Sequence, residues 1–383
     1  MRTAGMLLLF AAVHLLCFAH VYGGDMTDDP LGPILKPALR PTVDVAMEDY
    51  RTNCKYKDGD FPMQEAGFAA FREEVVSVLI KTLQFDDWVV RDPVGKPNPI
   101  RHFYEDRLLK TIRHHGVEME VHAVEFFGTG LVVPVVICLP DGDDKRPGVC
   151  VFSGHSQHGL RDLVLDLDSY QSGVAVRLAQ AGFVAAAVEK IDTGYLSRDG
   201  GCGVDEQPLA TFCLFQGQVI RAHQLMACLA TSEILAGHPR VDEMRMGATG
   251  VSLGGWLSVQ TAMLTDRIQA VADFGRKTLA LPPEMTSEEF KGMPDLCHIL
   301  PGMLSLCDRH LMALAYCPRP LLAGHGRRDA GSDREGPVHY QRLFQQQYEI
   351  LGQADDFEYL VHDGGDTMPA QAVIDYFCRQ LMR

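Results

Sequence analysis

The chain has 383 residues, of which 46% are hydrophobic and 22% charged, the composition of an ordinary globular protein. Its formal net charge of −15, with no basic run to offset it, argues against a nucleic-acid partner, because phosphate binding needs clustered Lys and Arg. Eleven cysteines include no C-x-x-C pair, which sets aside a zinc ribbon or a dithiol redox site.

The chain opens with Arg2, an apolar run from Met6 to His20, and small residues at Val21–Gly24. That is the anatomy of a secretory signal cleaved after Gly23, too short and wrongly flanked for a membrane span. Cys17 follows Leu16 rather than a small residue, so no lipoprotein is expected, and no later stretch is apolar enough to cross a bilayer. The predicted organisation is a signal at 1–23, an N-terminal arm and helical extension at 24–116, and an enzyme-like α/β domain at 117–383. In an exported chain a few disulfides are expected at most. Cys138, Cys150, Cys213, Cys228 and Cys378 sit in apolar segments, where a cysteine is usually a small buried hydrophobe.

From Asp25 to about Thr42 the proline- and aspartate-rich chain predicts an extended arm. Between Phe61 and Phe85 the spacing of Phe68, Phe71, Val75, Leu79 and Leu83 predicts an amphipathic helix. A polar connection follows, and then Val117–Pro140 reads as two strands joined at Gly128-Thr129-Gly130. His114, His115 and His122 fall around that hairpin and read as surface or packing residues.

Beyond it, strands and helices alternate. "GVCVFSG", "FVAAAVE", "RMGATGV", "IQAVADFG", "RPLLAGHG" and "FEYLVHD" read as strands. "YQSGVAVRLAQAG", "LFQGQVIRAHQLMACLATSEILAG" and "LGGWLSVQTAML" read as helices between them. Such alternation implies a mostly parallel sheet covered by helices on both faces, with any ligand at the C-terminal strand ends.

"GVSLGG", Gly250 to Gly255, fits G-x-S-x-G and stands between a strand and a helix. That context predicts a cramped turn lifting Ser252 above the sheet, with Gly250 and Gly254 removing side chains that would collide. The helix start offers N–H groups, Leu253 first, for a developing oxyanion. "VFSGHSQHGL" ends an earlier strand, so the backbone at Gly154 and His155 is placed to complete that hole. His155 and His158 also have metal-ligand spacing, but no third ligand accompanies them, and no metal or organic cofactor is implied. Asp329 follows the strand "RPLLAG", where an acid would orient a base; Asp333 is the alternative. The polar loop Glu189–Gln207 should line the cleft, with Glu189, Arg198 or Asp205 available to a substrate. "MPDLCHILPGMLSLCD", Met293 to Asp308, reads equally as a small cap or as core, and Trp256 as helix packing.

From about Val117 onward the chain resembles the α/β-hydrolase superfamily, within its dienelactone hydrolase and acetyl xylan esterase-like group. The stretches that carry the resemblance are "GHSQHG", "RLAQAGFVAAAVE", "HPRVDEMRMGATGVSLGG", "TDRIQAVADFG", "ALAYCPRPLLAGHGRRD" and "FEYLVHDGGD". The resemblance implies an α/β-hydrolase fold and secreted hydrolysis of esterified carbohydrate, with Ser252 as nucleophile and Asp329 as acid. It also exposes a departure, because the group usually ends the last of these stretches in Gly-Gly-His. Here Asp366 stands at the general-base position.

A carboxylate is a poor substitute. Histidine titrates near pH 6.5 and faces serine and acid through two nitrogens, whereas a free aspartate titrates near 3.9. Three readings follow. His362, His155 or His158 replaces the base; or the chain is a weakened hydrolase keeping nucleophile and oxyanion hole; or the cleft binds a carbohydrate or ester without cleaving it.

Overall fold

The computed structural model describes residues 48, 52–82, 90–91, 97–98, 103–127, 130–198, 203, 205–275, 296–329 and 335–382. The expected signal, the arm at 25–42, the hairpin residues Gly128 and Thr129, Leu83 and Asp333 lie outside them. No helix among the described residues is long and apolar enough to cross a membrane.

Nine strands form one sheet. In chain order they are β1 (Tyr104–His114), β2 (Val117–Phe126), β3 (Leu131–Leu139), β4 (Arg146–Phe152) and β5 (Val184–Val188), then β6 (Val241–Val251), β7 (Ile268–Phe274), β8 (Leu321–Gly326) and β9 (Phe357–His362). Their spatial order is β9-β8-β7-β6-β4-β5-β3-β2-β1. From β9 to β5 neighbours run parallel, while β3, β2 and β1 are added antiparallel. This is the mostly parallel sheet that the strand–helix alternation predicts. The chain leaves β4 for β5 on one side and returns across it to β6 on the other. The ends of β4 and β6 therefore flank the point where the winding reverses, the crevice in which open α/β sheets bind ligands.

The helices are α1 (Glu65–Thr82), α2 (Leu160–Val164), α3 (Val174–Gln180), α4 (Glu206–Phe215), α5 (Ile220–Gly237), α6 (Leu253–Leu264), α7 (Met303–Leu306), α8 (Arg309–Leu314), α9 (Glu335–Ile350) and α10 (Ala370–Leu381). Two apolar cores result. One face of the sheet is covered by α3 and α10, through Val174, Leu178, Val373 and Phe377. The other is covered by α5, α6, α9 and α1, whose Phe68, Phe71, Val75 and Leu79 lie on the inward stripe the spacing predicts. Phe71 is fully buried and meets Tyr56 and Phe61 edge-on at 4.9 and 5.0 Å. The helical extension thus shares its core with the sheet.

Strand β1 is not legible as a strand in the sequence, where it falls inside the predicted polar connection and before the expected domain start at 117. It carries almost no apolar alternation because it is the outermost strand and exposed along nearly its whole length. Its register slips at a bulge between Leu108 and Lys110, and His122 of β2 is hydrogen-bonded to its Asp106 at 2.8 Å. The described cysteines are all free thiols, and all but Cys378 are buried. Within Met293–Asp308, Cys297, Met303, Leu306 and Cys307 belong to the larger core.

Candidate active site

Ser252 joins β6 to α6 with φ 61 and ψ −125, a left-handed conformation that a residue bearing a side chain adopts only under strain of about 1–3 kcal/mol. Its N–H is anchored on the carbonyl of Phe274 at the end of β7, 2.8 Å away. Neither Gly250 nor Gly254 has room for a Cβ: at 250 it would strike the backbone of Gly254, and at 254 the carbonyl of Phe152. The glycines are there because three backbone segments meet under the serine. At the first position of α6, the Leu253 N–H has no acceptor within the helix and is available to an anion above Ser252.

The loop after β4 closes over this turn. A Cβ on Gly154 would stand 3.1 Å from Ser252 Cβ and 2.9 Å from the Tyr170 hydroxyl. The next residue, His155, turns its imidazole away along α4, where Nε2 lies 2.7 Å from Glu206 Oε2 and 3.3 Å from Cys297 Sγ. Glu206 is almost wholly buried. Burial alone would raise its pKa, but the hydrogen bond from His155 and the charge of Lys190, 3.7 Å away, bring it down to about 2. His158 is exposed, and its backbone N–H donates to Ser156 Oγ at 3.0 Å.

Glu189 is not a substrate contact. Its side chain is fully buried, and its oxygens accept the N–H groups of Leu160 and Tyr195, each at 3.0 Å, and the Thr193 hydroxyl at 3.3 Å. It ties the loops after β4 and β5 together, and burial outweighs those bonds to push its pKa up to about 7. Arg198 and Asp205 pair with each other at 2.9 Å.

Asp366 approaches the Ser252 turn at Gly275. A Cβ at Gly275, where φ is +118, would stand 2.8 Å from Ser252 N, 2.9 Å from Ser252 Cα and 3.1 Å from Asp366 Oδ1. That oxygen is buried and makes no hydrogen bond with the described residues. Tyr170 completes this corner: Gln171 Nε2 donates to its hydroxyl at 2.7 Å, and its carbonyl accepts from Met368 N at 2.8 Å, holding the Asp366 loop in place. Burial, reinforced by the Asp366 carboxylate, drives the phenol's pKa well up, so it stays a neutral hydroxyl. Neither Tyr170 nor Gly275 carries a motif that singles it out in the sequence.

Asp329 sits beyond β8 in a loop that lies against the Asp366 loop. Arg327 N donates to His362 O at 2.7 Å and Arg328 N to Gly364 O at 2.9 Å. His362 is the last residue of β9, three strands from β6 in the sheet order, and its buried Nε2 makes no hydrogen bond with the described residues. Its Nδ1 accepts the Gly364 N–H at 3.1 Å, and its ring packs edge-on against Phe274 at 6.1 Å. Burial lowers its pKa, with Asp363 and Asp366 opposing. The structure therefore groups Ser252, the Gly154 loop, Tyr170 and Asp366, while His158 is exposed and Glu189 is taken up by loop backbone.

Residues 109–274 match the family model "Acetyl xylan esterase (AXE1)", a span holding Gly154 and Ser252 and ending before Asp329 and Asp366. Over that span the chain is similar to the acetyl xylan esterase family, and its sheet and helices have the α/β-hydrolase arrangement. Solved structures agree on the fold. A protein assigned as an acetyl xylan esterase from Bacteroides fragilis superposes with a TM-score of 0.67 at 16% identity, covering 85% of this chain and 82% of that one. The methylesterase BT1017 superposes at 0.62 and 19% identity, over 89% of this chain and 69% of its own. A glucuronoyl esterase from Solibacter usitatus reaches 0.54 at 14%, over 81% and 91%. No curated protein matches by sequence. The matched span contains the Ser252 turn, and Asp366 lies beyond it.

Proposed function

We propose that the chain is a secreted serine hydrolase of carbohydrate-linked carboxylic esters, working with a weakened general base. The observation that carries this is the strained Ser252 turn, with the Gly154 loop packed so close over it that a Cβ at 154 would stand 3.1 Å from Ser252 Cβ. Ser252 Oγ attacks the ester carbonyl, and the developing oxyanion is received by backbone N–H groups of Leu253 and the Gly154–His155 loop. Asp366 Oδ1 is a buried, unbonded acceptor beside the serine's turn, and the neutral hydroxyl of Tyr170 belongs to the same corner. A carboxylate draws the serine proton feebly, so catalysis rests mainly on positioning and the oxyanion hole, which together retain roughly 10³–10⁴ over water without a full triad. The names of the structural relatives suggest acetyl and uronate methyl esters as the acyl classes to try, and the apolar leader at the N-terminus supports export.

A second reading is favoured by the same aspartate: a cleft that binds esterified carbohydrate without turning it over. Hydrolysis of 4-nitrophenyl acetate, acetylated xylan and a methyl glucuronate, by the chain and by Ser252→Ala, separates the two. Turnover lost in Ser252→Ala is the expected result. Equal rates in both proteins, together with saturable binding of an acetylated oligosaccharide, would establish the binding protein instead.

A further inference from the structure

Away from the cleft, three segments distant in sequence bring one carboxylate and two imidazoles together. Asp58 comes from the short 3-10 turn Asp58–Asp60 of the N-terminal extension, His310 from α8 and His339 from α9. Their ligand atoms all lie within 4.8 Å of one another. His310 Nε2 is 2.6 Å from Asp58 Oδ1, and His339 Nε2 is 2.8 Å from Asp58 Oδ2. Yet His339 Nε2 is buried and makes no hydrogen bond, so the short contact is not an aligned N–H···O bond. The His310 contact is a hydrogen bond, and because ligands sharing one tetrahedral ion stand about 3.3 Å apart, both contacts would open by about half an ångström on binding. Behind the cluster, His310 Nδ1 is buried without a hydrogen bond, 3.6 Å from Asp308 Oδ1, a carboxylate that a small shift would bring within reach to orient a metal-bound imidazole.

We propose that Asp58, His310 and His339 form a binding site for a borderline divalent transition-metal ion of the zinc or cobalt type. The donor set decides the class. Calcium and magnesium take oxygen ligands, whereas two imidazoles with one carboxylate suit zinc and its neighbours. Charge is consistent: the Asp58 and Asp308 carboxylates offset a dication when both imidazoles are neutral. The fourth position falls to solvent, since the side chains of Asp58 and His339 are 37% and 23% exposed. One competing contact must give way. Arg342 Nη2 approaches His339 Nδ1 at 3.4 Å from the exposed side, and the metal-bound tautomer needs a proton there, so the guanidinium swings into solvent. The bound ion would clip the extension, which already donates Lys55 N and Tyr56 N to the carbonyls of Ser305 and Leu306, onto the enzyme body.

The test is titration of chelator-treated full-length protein with Co²⁺, followed by visible absorption and calorimetry, then displacement by Zn²⁺. One Co²⁺ per chain, with the intense bands of a four-coordinate site, is expected. His339→Ala should abolish those bands, and Asp308→Asn should weaken affinity about 10–100-fold while keeping the ligands. Ester hydrolysis and circular dichroism on each variant report folding separately, and His158→Ala serves as the exposed-histidine control. The assignment is overturned if no stoichiometric band develops. It is equally overturned if His339→Ala or Asp58→Asn, shown to be folded, binds Co²⁺ as the parent does. The cobalt bands, the calorimetry and the circular dichroism do not depend on the chain being an esterase.

Discussion

Asp366→His restores an imidazole to the corner against which Ser252 turns. The Gly275 contacts place Asp366 Oδ1 and the backbone of Ser252 within about 3 Å of one point, so a longer side chain there points at the nucleophile rather than at solvent. The gain can be bounded. Aspartate and histidine differ by about 2.6 pKa units, roughly 3.5 kcal/mol of proton affinity. If half of that is felt in the transition state, the rate rises about 20-fold. A fully oriented base contributes about 10²–10⁴-fold, which sets the ceiling. The assay is kcat and kcat/KM for 4-nitrophenyl acetate between pH 5 and 9. Asp366→His should raise kcat at least tenfold, with activity rising through about pH 6.5 as the imidazole loses its proton. The double variant Ser252→Ala, Asp366→His should be inert. The reasoning is refuted if a folded Asp366→His is no faster, or slower, while the parent already hydrolyses ester through Ser252. Another base would then be at work, and His155 with its Glu206 partner would be the first to examine.

Three further outcomes follow from the same geometry. Gly275→Ala forces a side chain between Ser252 and Asp366 at a positive φ; it should cost about 1–3 kcal/mol in urea denaturation and, by displacing the serine, about 100-fold in kcat. Phe71→Ala removes a fully buried ring from the junction of extension and sheet, and should lower the unfolding free energy by about 3–5 kcal/mol in the same experiment. Glu189 has its pKa raised by burial to about 7 from 4.5, so its contribution to stability is complete below pH 4.5 and lost as pH climbs through 7. That loss is roughly 3 kcal/mol, and Glu189→Gln should flatten the dependence of chemical-denaturation midpoints on pH across the same interval.

What the sequence revealed was what local pattern encodes. The G-x-S-x-G turn is readable because each glycine is demanded by a backbone within touching distance. The buried parallel strands are readable because both of their faces are apolar. Strand β1 was not, since an edge strand facing water on both sides has no alternation to betray it. Gly275 and Tyr170 were invisible for a different reason: their roles come from neighbours brought together only when the strands align side by side. The same holds for Asp58, His310 and His339, which no spacing rule connects.

The bulge in β1 bears on how these molecules coexist at high concentration. An outermost strand presents a row of unshared N–H and C=O groups to any second copy that approaches edge-on. In β1 that row is broken between Leu108 and Lys110, and Glu105, Arg107, Lys110 and Arg113 punctuate the strand with charge. Straightening the ladder and replacing those charges with Thr or Val would turn the sheet's open margin into a template for fibrillar stacking, with the catalytic end of the same sheet untouched.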